Sequence, residues 1–184
     1  GINTDYFDPS TTLEKDEDEL FKLWELKVGK KIILFPGRLT SWKGQEMFLD
    51  AINKVNIQLG HDAFISVILG SDQGRDLYKK KLIRLVEQYR LNNQVKFIEH
   101  CKNMPVAYKI SNFVVSASTE PESFGRISVE AQSMQKPILA SNIGGSKETI
   151  IDNKTGILFE AGNSEEMSKK IIELLNLDET TVNQ

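Results

Sequence analysis

Six apolar runs of strand length punctuate the chain from residue 31 onward, at 32–35, 64–69, 95–98, 113–115, 137–140 and 156–159. The stretches between them carry apolar residues at helical spacing. Phe48, Ala51, Ile52, Val55 and Leu59 form one stripe, and Tyr78, Leu82, Leu85 and Tyr89 a second. Ile127, Ala131 and Met134 make a third, and Met167, Ile171, Leu174 and Leu175 a fourth. Runs that are apolar throughout, each followed by an amphipathic helix, predict parallel strands buried on both faces. The expected fold class is α/β, a doubly wound, Rossmann-like parallel sheet of about six strands. In such sheets ligands bind at the carboxyl ends of the strands, which singles out loops 36–44, 70–75, 99–104, 116–126 and 141–147. Upstream, residues 1–9 are polar and turn-rich without a period. An acidic segment at 14–19 then leads into a short amphipathic piece at Leu20, Leu23 and Trp24. The ends have little to bury. The domain is therefore expected at 20–176, with 1–19 a linker or N-terminal extension and 177–184 a tail.

Composition narrows the function classes. The 184 residues suffice for one domain, and 40% hydrophobic with 27% charged residues suits a soluble core-forming chain. A net charge of −3 gives no general drive toward nucleic acid or anionic membrane. Any phosphorylated ligand must be held by a few local cations. The single Cys101 cannot form an internal disulfide, and no apolar run approaches the roughly 20 residues that span a bilayer. No signal peptide is evident, so a cytoplasmic location is the default expectation.

Two loops carry candidate chemistry. The first follows the strand at 32–35 and reads Pro36-Gly37-Arg38-Leu39-Thr40-Ser41-Trp42-Lys43-Gly44. Gly37 permits close approach of a ligand to the backbone, Arg38 offers a planar fork to phosphate oxygens, and Lys43 adds a mobile point charge. Two such cations could clamp a diphosphate; the alternative is a solvated loop with two ordinary surface charges. Neither a Walker loop nor a Gly-x-Gly-x-x-Gly stretch occurs. In the second loop the period turns helical near Gly125, so the N–H groups of Gly125 to Ser128 form a phosphate-ready helix start. Glu122 precedes that helix and Glu130 lies about one turn inside it. Carboxylates on either side of a diphosphate could take hydroxyls of a sugar and of a ribose. Equally, Glu near a helix start is favourable by itself, and Arg126 with Glu130 is an ordinary i,i+4 pair.

Together these segments resemble the C-terminal, donor-binding domain of the retaining GT-B glycosyltransferases, known as family 4 or glycosyl transferases group 1. Four stretches match in order: Gly37-Arg38-Leu39 with Lys43-Gly44; Gly70; Glu122-Ser123-Phe124-Gly125 through Glu130-Ala131; and Gly144-Gly145 through Glu148. Glu122 and Glu130 meet the family's paired-glutamate spacing. The resemblance implies a nucleoside diphosphate sugar as donor, with Arg38 and Lys43 stabilising the leaving diphosphate beside the N–H groups near Arg126 and Ile127. It implies Glu130 on the ribose and Glu122 in a catalytic position near the reacting carbon. The nucleobase would rest on the loop from His100 to Met104, with Cys101 and Met104 among the donor-binding residues and Gly37, Phe124 and Gly125 shaping the pocket. Residues 1–9 look like the segment that joins the two domains in this family, which would leave the acceptor-binding N-terminal domain absent. Two departures stand out. Ser116-Ala117 occupies the place of Pro-Ser, and Gln135 occupies that of a helix-ending Gly, at a cost of up to roughly 1 kcal/mol.

The remaining candidates carry little. His61 reads as a residue of a surface turn, His100 as a structural loop histidine, and Cys101 as a packed thiol rather than a nucleophile. Trp42 covers the diphosphate loop or simply packs. Two histidines and one cysteine without ligand spacing do not make a zinc site. The expected activity is retaining transfer of a glycosyl unit to a hydroxyl acceptor without metal or other cofactor, in the hexosyltransferase class. The isolated domain is expected to be inactive. A non-catalytic donor-binding subunit and a GT-B sugar-nucleotide epimerase are the alternatives. Richness in Lys, Asn and Ile suggests a bacterial lipopolysaccharide or other surface-glycan role. The acceptor would then be peripheral or lipid-linked at the inner face of the membrane, and no nucleic acid is involved.

Overall fold

The computed structural model describes residues 1–60 and 62–177; His61 and residues 178–184, which hold the expected turn histidine and most of the tail, lie outside the described residues. Six strands form one sheet, β1 (Lys31–Pro36), β2 (Phe64–Leu69), β3 (Val95–Ile98), β4 (Phe113–Ser116), β5 (Ile138–Ser141) and β6 (Ile157–Phe159). Their spatial order is β3-β2-β1-β4-β5-β6, every pairing parallel. This is the expected doubly wound α/β sheet, and the order reverses between β1 and β4. The crevice beyond their carboxyl ends is where such a sheet binds ligands. The loops that leave it are 36–44 and 116–126.

Alternation along the strands divides the core in two. Ile33, Phe35, Phe113, Val115 and Leu139 face α2 (Gln45–Leu59), α3 (Asp76–Gln88) and α7 (Ser164–Asn176). Ile32, Leu34, Val114, Ile138 and Ala140 face α1 (Glu14–Leu23), α4 (Met104–Ile110) and α5 (Arg126–Ser133). In the first layer the rings of Phe35 and Phe48 lie 4.7 Å apart, both buried; truncating either to Ala costs about 3–5 kcal/mol. At the central pair Asn112 Oδ1 accepts the Ile32 N–H at 2.6 Å, fixing the start of β4 against β1. Helix α7 begins on Asn163, whose side chain accepts the Glu166 N–H, with Glu165 and Glu166 in its first turn.

Two helices escape the pattern reading. Residues of α4 are buried at four consecutive positions, Pro105, Val106, Ala107 and Tyr108, so no one-sided stripe betrays it. The four-residue α6 (Ser146–Thr149) is too short to show a period. The N-terminal segment also docks: Phe7 packs against the second layer, its ring edge-on to Tyr108 at 5.8 Å, and its carbonyl accepts Ser133 Oγ at 2.5 Å. No helix among the described residues is long and apolar enough to cross a membrane.

Three helices close alike without glycine. After α5, the Gln135 N–H bonds to Gln132 O and the Lys136 N–H to Ala131 O. After α3 and α1, Arg90 and Glu25 take the same place, and the φ angles are 56°, 57° and 50°. These are Schellman caps that force an L side chain into the left-handed region. Replacing Gln135 by Gly is expected to raise stability by up to roughly 1 kcal/mol. Urea denaturation should show a higher midpoint with an unchanged slope; a midpoint at or below wild type would contradict the strain.

Candidate functional site

The crests of β1, β2 and β4 meet backbone against backbone, and glycines make this possible. Gly37 donates its N–H to Leu69 O at 2.8 Å, and a Cβ on Gly70 would stand 2.0 Å from Gly37 O. A Cβ on Gly44, whose φ is +79°, would stand 1.9 Å from Ala117 O. Trp42 O accepts both the backbone N–H (2.8 Å) and the hydroxyl (3.2 Å) of Thr119. The loop after β1 is thus fastened to the loop after β4. Below them, Gly145 donates its N–H to Glu122 O at 2.7 Å, and a Cβ there would sit 2.4 Å from the carbonyl carbon of Phe124. The Gly144-Gly145 pair is a backbone seat for the segment that carries Glu122.

This fastening brings Lys43 to Glu122. Nζ lies 2.7 Å from Oε2, with the two side chains 10% and 21% exposed. The other carboxylate oxygen accepts the Ser118 hydroxyl, so both oxygens of Glu122 are engaged. The Lys43 ammonium also stands 4.6 Å from the centre of the Trp42 ring, a cation–π contact. An ammonium has three protons, so Lys43 can hold Glu122 and still face a second anion.

Helix α5 supplies the opposite wall. Gly125, in the left-handed region at φ 67°, precedes it with no side-chain cap, and the first helical bond runs from Ser128 N to Gly125 O. The N–H groups of Arg126 and Ile127 therefore precede the hydrogen-bonded ladder. A methyl group placed on Gly37 would lie 3.7 Å from Lys43 Cδ and 3.9 Å from Ile127 Cδ1, so Gly37, Lys43 and Ile127 line one small space. Arg38 and Arg126 are exposed, and among the described residues neither guanidinium lies in an ion pair. Arg38 is held through its carbonyl, which accepts Gln45 Nε2 at 2.8 Å, and Tyr78 in turn donates to Gln45. Phe124 is 40% exposed beside them.

Glu130, one turn into α5, is half-buried and accepts the Tyr108 hydroxyl at 2.7 Å. Burial pushes its carboxyl above the usual value, against the opposing pull of the Tyr108 hydrogen bond and the Arg126 charge. Burial, and then the charge of Glu130, raises Tyr108 well above its ordinary range, so it stays a donor. Cys101 donates to Asn103 O at 3.2 Å, and burial raises its thiol, which leaves it a packed group. Met104 is partly buried against the second layer, one turn before Tyr108 on α4. His100 is exposed. Among the described residues no group of three His, Cys, Asp or Glu could hold a metal ion.

Sequence reasoning placed Gly37, Lys43, Glu122, Gly125 and Ile127 in one site, and the structure brings them together. It overlooked Ser118 and Tyr108. Ser118, four residues before Glu122, was within reach of a local hydrogen-bond argument; Tyr108, 22 residues from Glu130, gave no local signal.

Residues 16–184 match the family described as glycosyl transferases group 1. The chain belongs to that family. A curated relative, the D-inositol 3-phosphate glycosyltransferase of Corynebacterium diphtheriae, is 25% identical over 98% of this chain and 42% of its own length. A glycosyltransferase structure from Rickettsia africae superposes with a TM-score of 0.94 at 32% identity, covering 100% of this chain and 47% of that one. The Anabaena protein HepE, solved in complex with UDP and glucose, gives 0.85 at 27% identity, covering 100% and 47%. The chain thus spans about half the length of the relatives it matches, aligned with the C-terminal half of their fold.

Two outcomes follow from this packing. Gly44→Ala should destabilise the domain by about 2 kcal/mol or more, because its Cβ would overlap a backbone carbonyl; a thermal melt within a degree of wild type would contradict it. Glu130 has a folded value raised above 4.5, so the folded chain binds more protons than the unfolded one in the window just above that value. Stability attributable to Glu130 therefore falls as pH rises through the window and stays lost at neutral pH. Glu130→Gln should melt above wild type at pH 7.5, the gain closing as pH falls below 4.5; an equal difference at both pH values would refute this origin.

Proposed function

We propose that this chain is the donor-binding half of a retaining glycosyltransferase, holding a nucleoside diphosphate sugar for transfer to a hydroxyl acceptor. The observation that carries the reading is the small space bounded by Gly37, Lys43 and Ile127, with Glu122 paired to Lys43 and two exposed guanidinium groups, Arg38 and Arg126, at its loops. A diphosphate set there meets Lys43, Arg38 and the leading N–H groups of α5. Each is a fixed positive group aimed where charge grows as the sugar departs. Because these groups supply the neutralising charge, the reaction proceeds without a metal cofactor. Lys43 bridges Glu122 and the phosphate, which places the Glu122 carboxylate next to the transferred sugar and its hydroxyls. Glu130, farther along the same helix, takes the ribose, and the loop at Cys101 and Met104 flanks the base.

The complex of HepE with UDP and glucose favours a donor of this class. We place the acceptor on a second domain, joined through the segment before α1, and take the isolated half to be inactive in transfer. A surface glycan such as lipopolysaccharide, made at the cytoplasmic face of the membrane, is the pathway we favour; composition is its support.

Titration calorimetry of the folded chain with UDP, GDP and ADP tests the reading. At least one should bind, Arg38→Ala and Lys43→Ala should each weaken it by roughly tenfold or more, and EDTA should leave the affinity unchanged. Absence of binding by all three at millimolar concentration would sink the proposal.

A further inference from the structure

Glu130 is held by a contact that the donor reading does not use. Its Oε2 accepts the Tyr108 hydroxyl at 2.7 Å. The Tyr108 side chain is fully buried, among the largest in the core to be so, and its reach is therefore fixed by packing. Phe7 stands edge-on against it at 5.8 Å, and the Phe7 carbonyl is bonded to Ser133 Oγ, three residues beyond Glu130 on α5. Two ties, at Glu130 and Ser133, thus fasten α5 to α4 and to the N-terminal segment. A glutamate on a helix surface has three rotatable bonds, and an untethered carboxylate samples many orientations. One phenol proton pins one oxygen and leaves the other free.

We propose that Tyr108 is a positioning residue that orients the Glu130 carboxylate toward a vicinal diol and so sets the preference for a ribonucleotide over its deoxy counterpart. The inference rests on the donor reading above and deepens it. Tyr108 touches no ligand; it acts through Glu130. A carboxylate held in one orientation presents its free oxygen to adjacent hydroxyls as a charge-assisted acceptor, and a carboxylate free to rotate spends part of its binding energy on being ordered. Tyr108→Phe keeps the ring that fills the core and removes only the tie. The ring stays packed beneath Phe7, so the N-terminal segment keeps its seat.

The test is calorimetry of wild type, Tyr108→Phe, Glu130→Ala and the double variant with UDP, GDP and ADP, each against its 2′,3′-dideoxy form. For the nucleotide that binds, Tyr108→Phe should lower the ratio of ribo to dideoxy affinity by roughly fivefold to tenfold, with the dideoxy affinity changed less than about twofold. In the Glu130→Ala background the same change should have no further effect on the ratio. Should Tyr108→Phe melt too low to titrate, Phe7→Ala, which loosens the Tyr108 ring on the side that Phe7 covers, should lower the ratio by roughly twofold to threefold. An unchanged ratio in the folded variant, or an equal loss for both forms, would overturn the positioning role while leaving the donor reading standing. Failure of wild type to bind any nucleotide would overturn both.

Discussion

The ion pair between Lys43 and Glu122 joins the two loops that leave the centre of the sheet, and most of the local architecture exists to make it possible. It forms only because the loop after β1 lies flush on the loop after β4, and that contact tolerates no side chain at Gly44. Taking two charges largely out of water is costly unless their remaining valences are met. Here Ser118 satisfies the second oxygen of Glu122, and the Trp42 ring faces the ammonium. The pair is therefore anchored on one side and open on the other, where Gly37 and the start of α5 leave room.

Around that anchor the domain gathers further charged groups. Arg38 and Arg126 are exposed and lie in no ion pair among the described residues, although the Arg126 charge still reaches Glu130 four residues along the helix. Glu130 is half-buried at a raised proton affinity, which opposes stability at neutral pH. Groups held at such a cost and gathered at a topological switch point are what a binding site needs. Glycines in and beside the site carry the complementary burden by letting three strand crests and the Gly144-Gly145 seat close up around it.

Much of this was legible in the sequence. The four inner strands β1, β2, β4 and β5 are apolar runs buried almost throughout and the edge strands β3 and β6 only in part, yet length and apolar content marked all six, and the doubly wound class followed from the intervening helices. Gly37, Lys43, Glu122, Gly125 and Ile127 were legible because each lies within a few residues of a strand end or helix start, where position in the chain fixes position in space. Helix α4 was missed because it is buried on too many sides to show a stripe. Tyr108 was missed because its partner lies on another helix, and no local period reports a contact between separate elements. Gln135 was read from its place after α5 as a left-handed cap, and its φ of 56° bears that out.

The central claim is spatial: a nucleoside diphosphate lies between the loop after β1 and the start of α5. Amide chemical-shift mapping of the isotopically labelled chain during titration with UDP, GDP or ADP addresses it most directly. The account predicts saturable shifts concentrated at Gly37, Arg38, Gly125, Arg126 and Ile127, with Glu130 following. Shifts confined to the groove lined by Asn142, Asp152, Glu160 and Glu166 would contradict it.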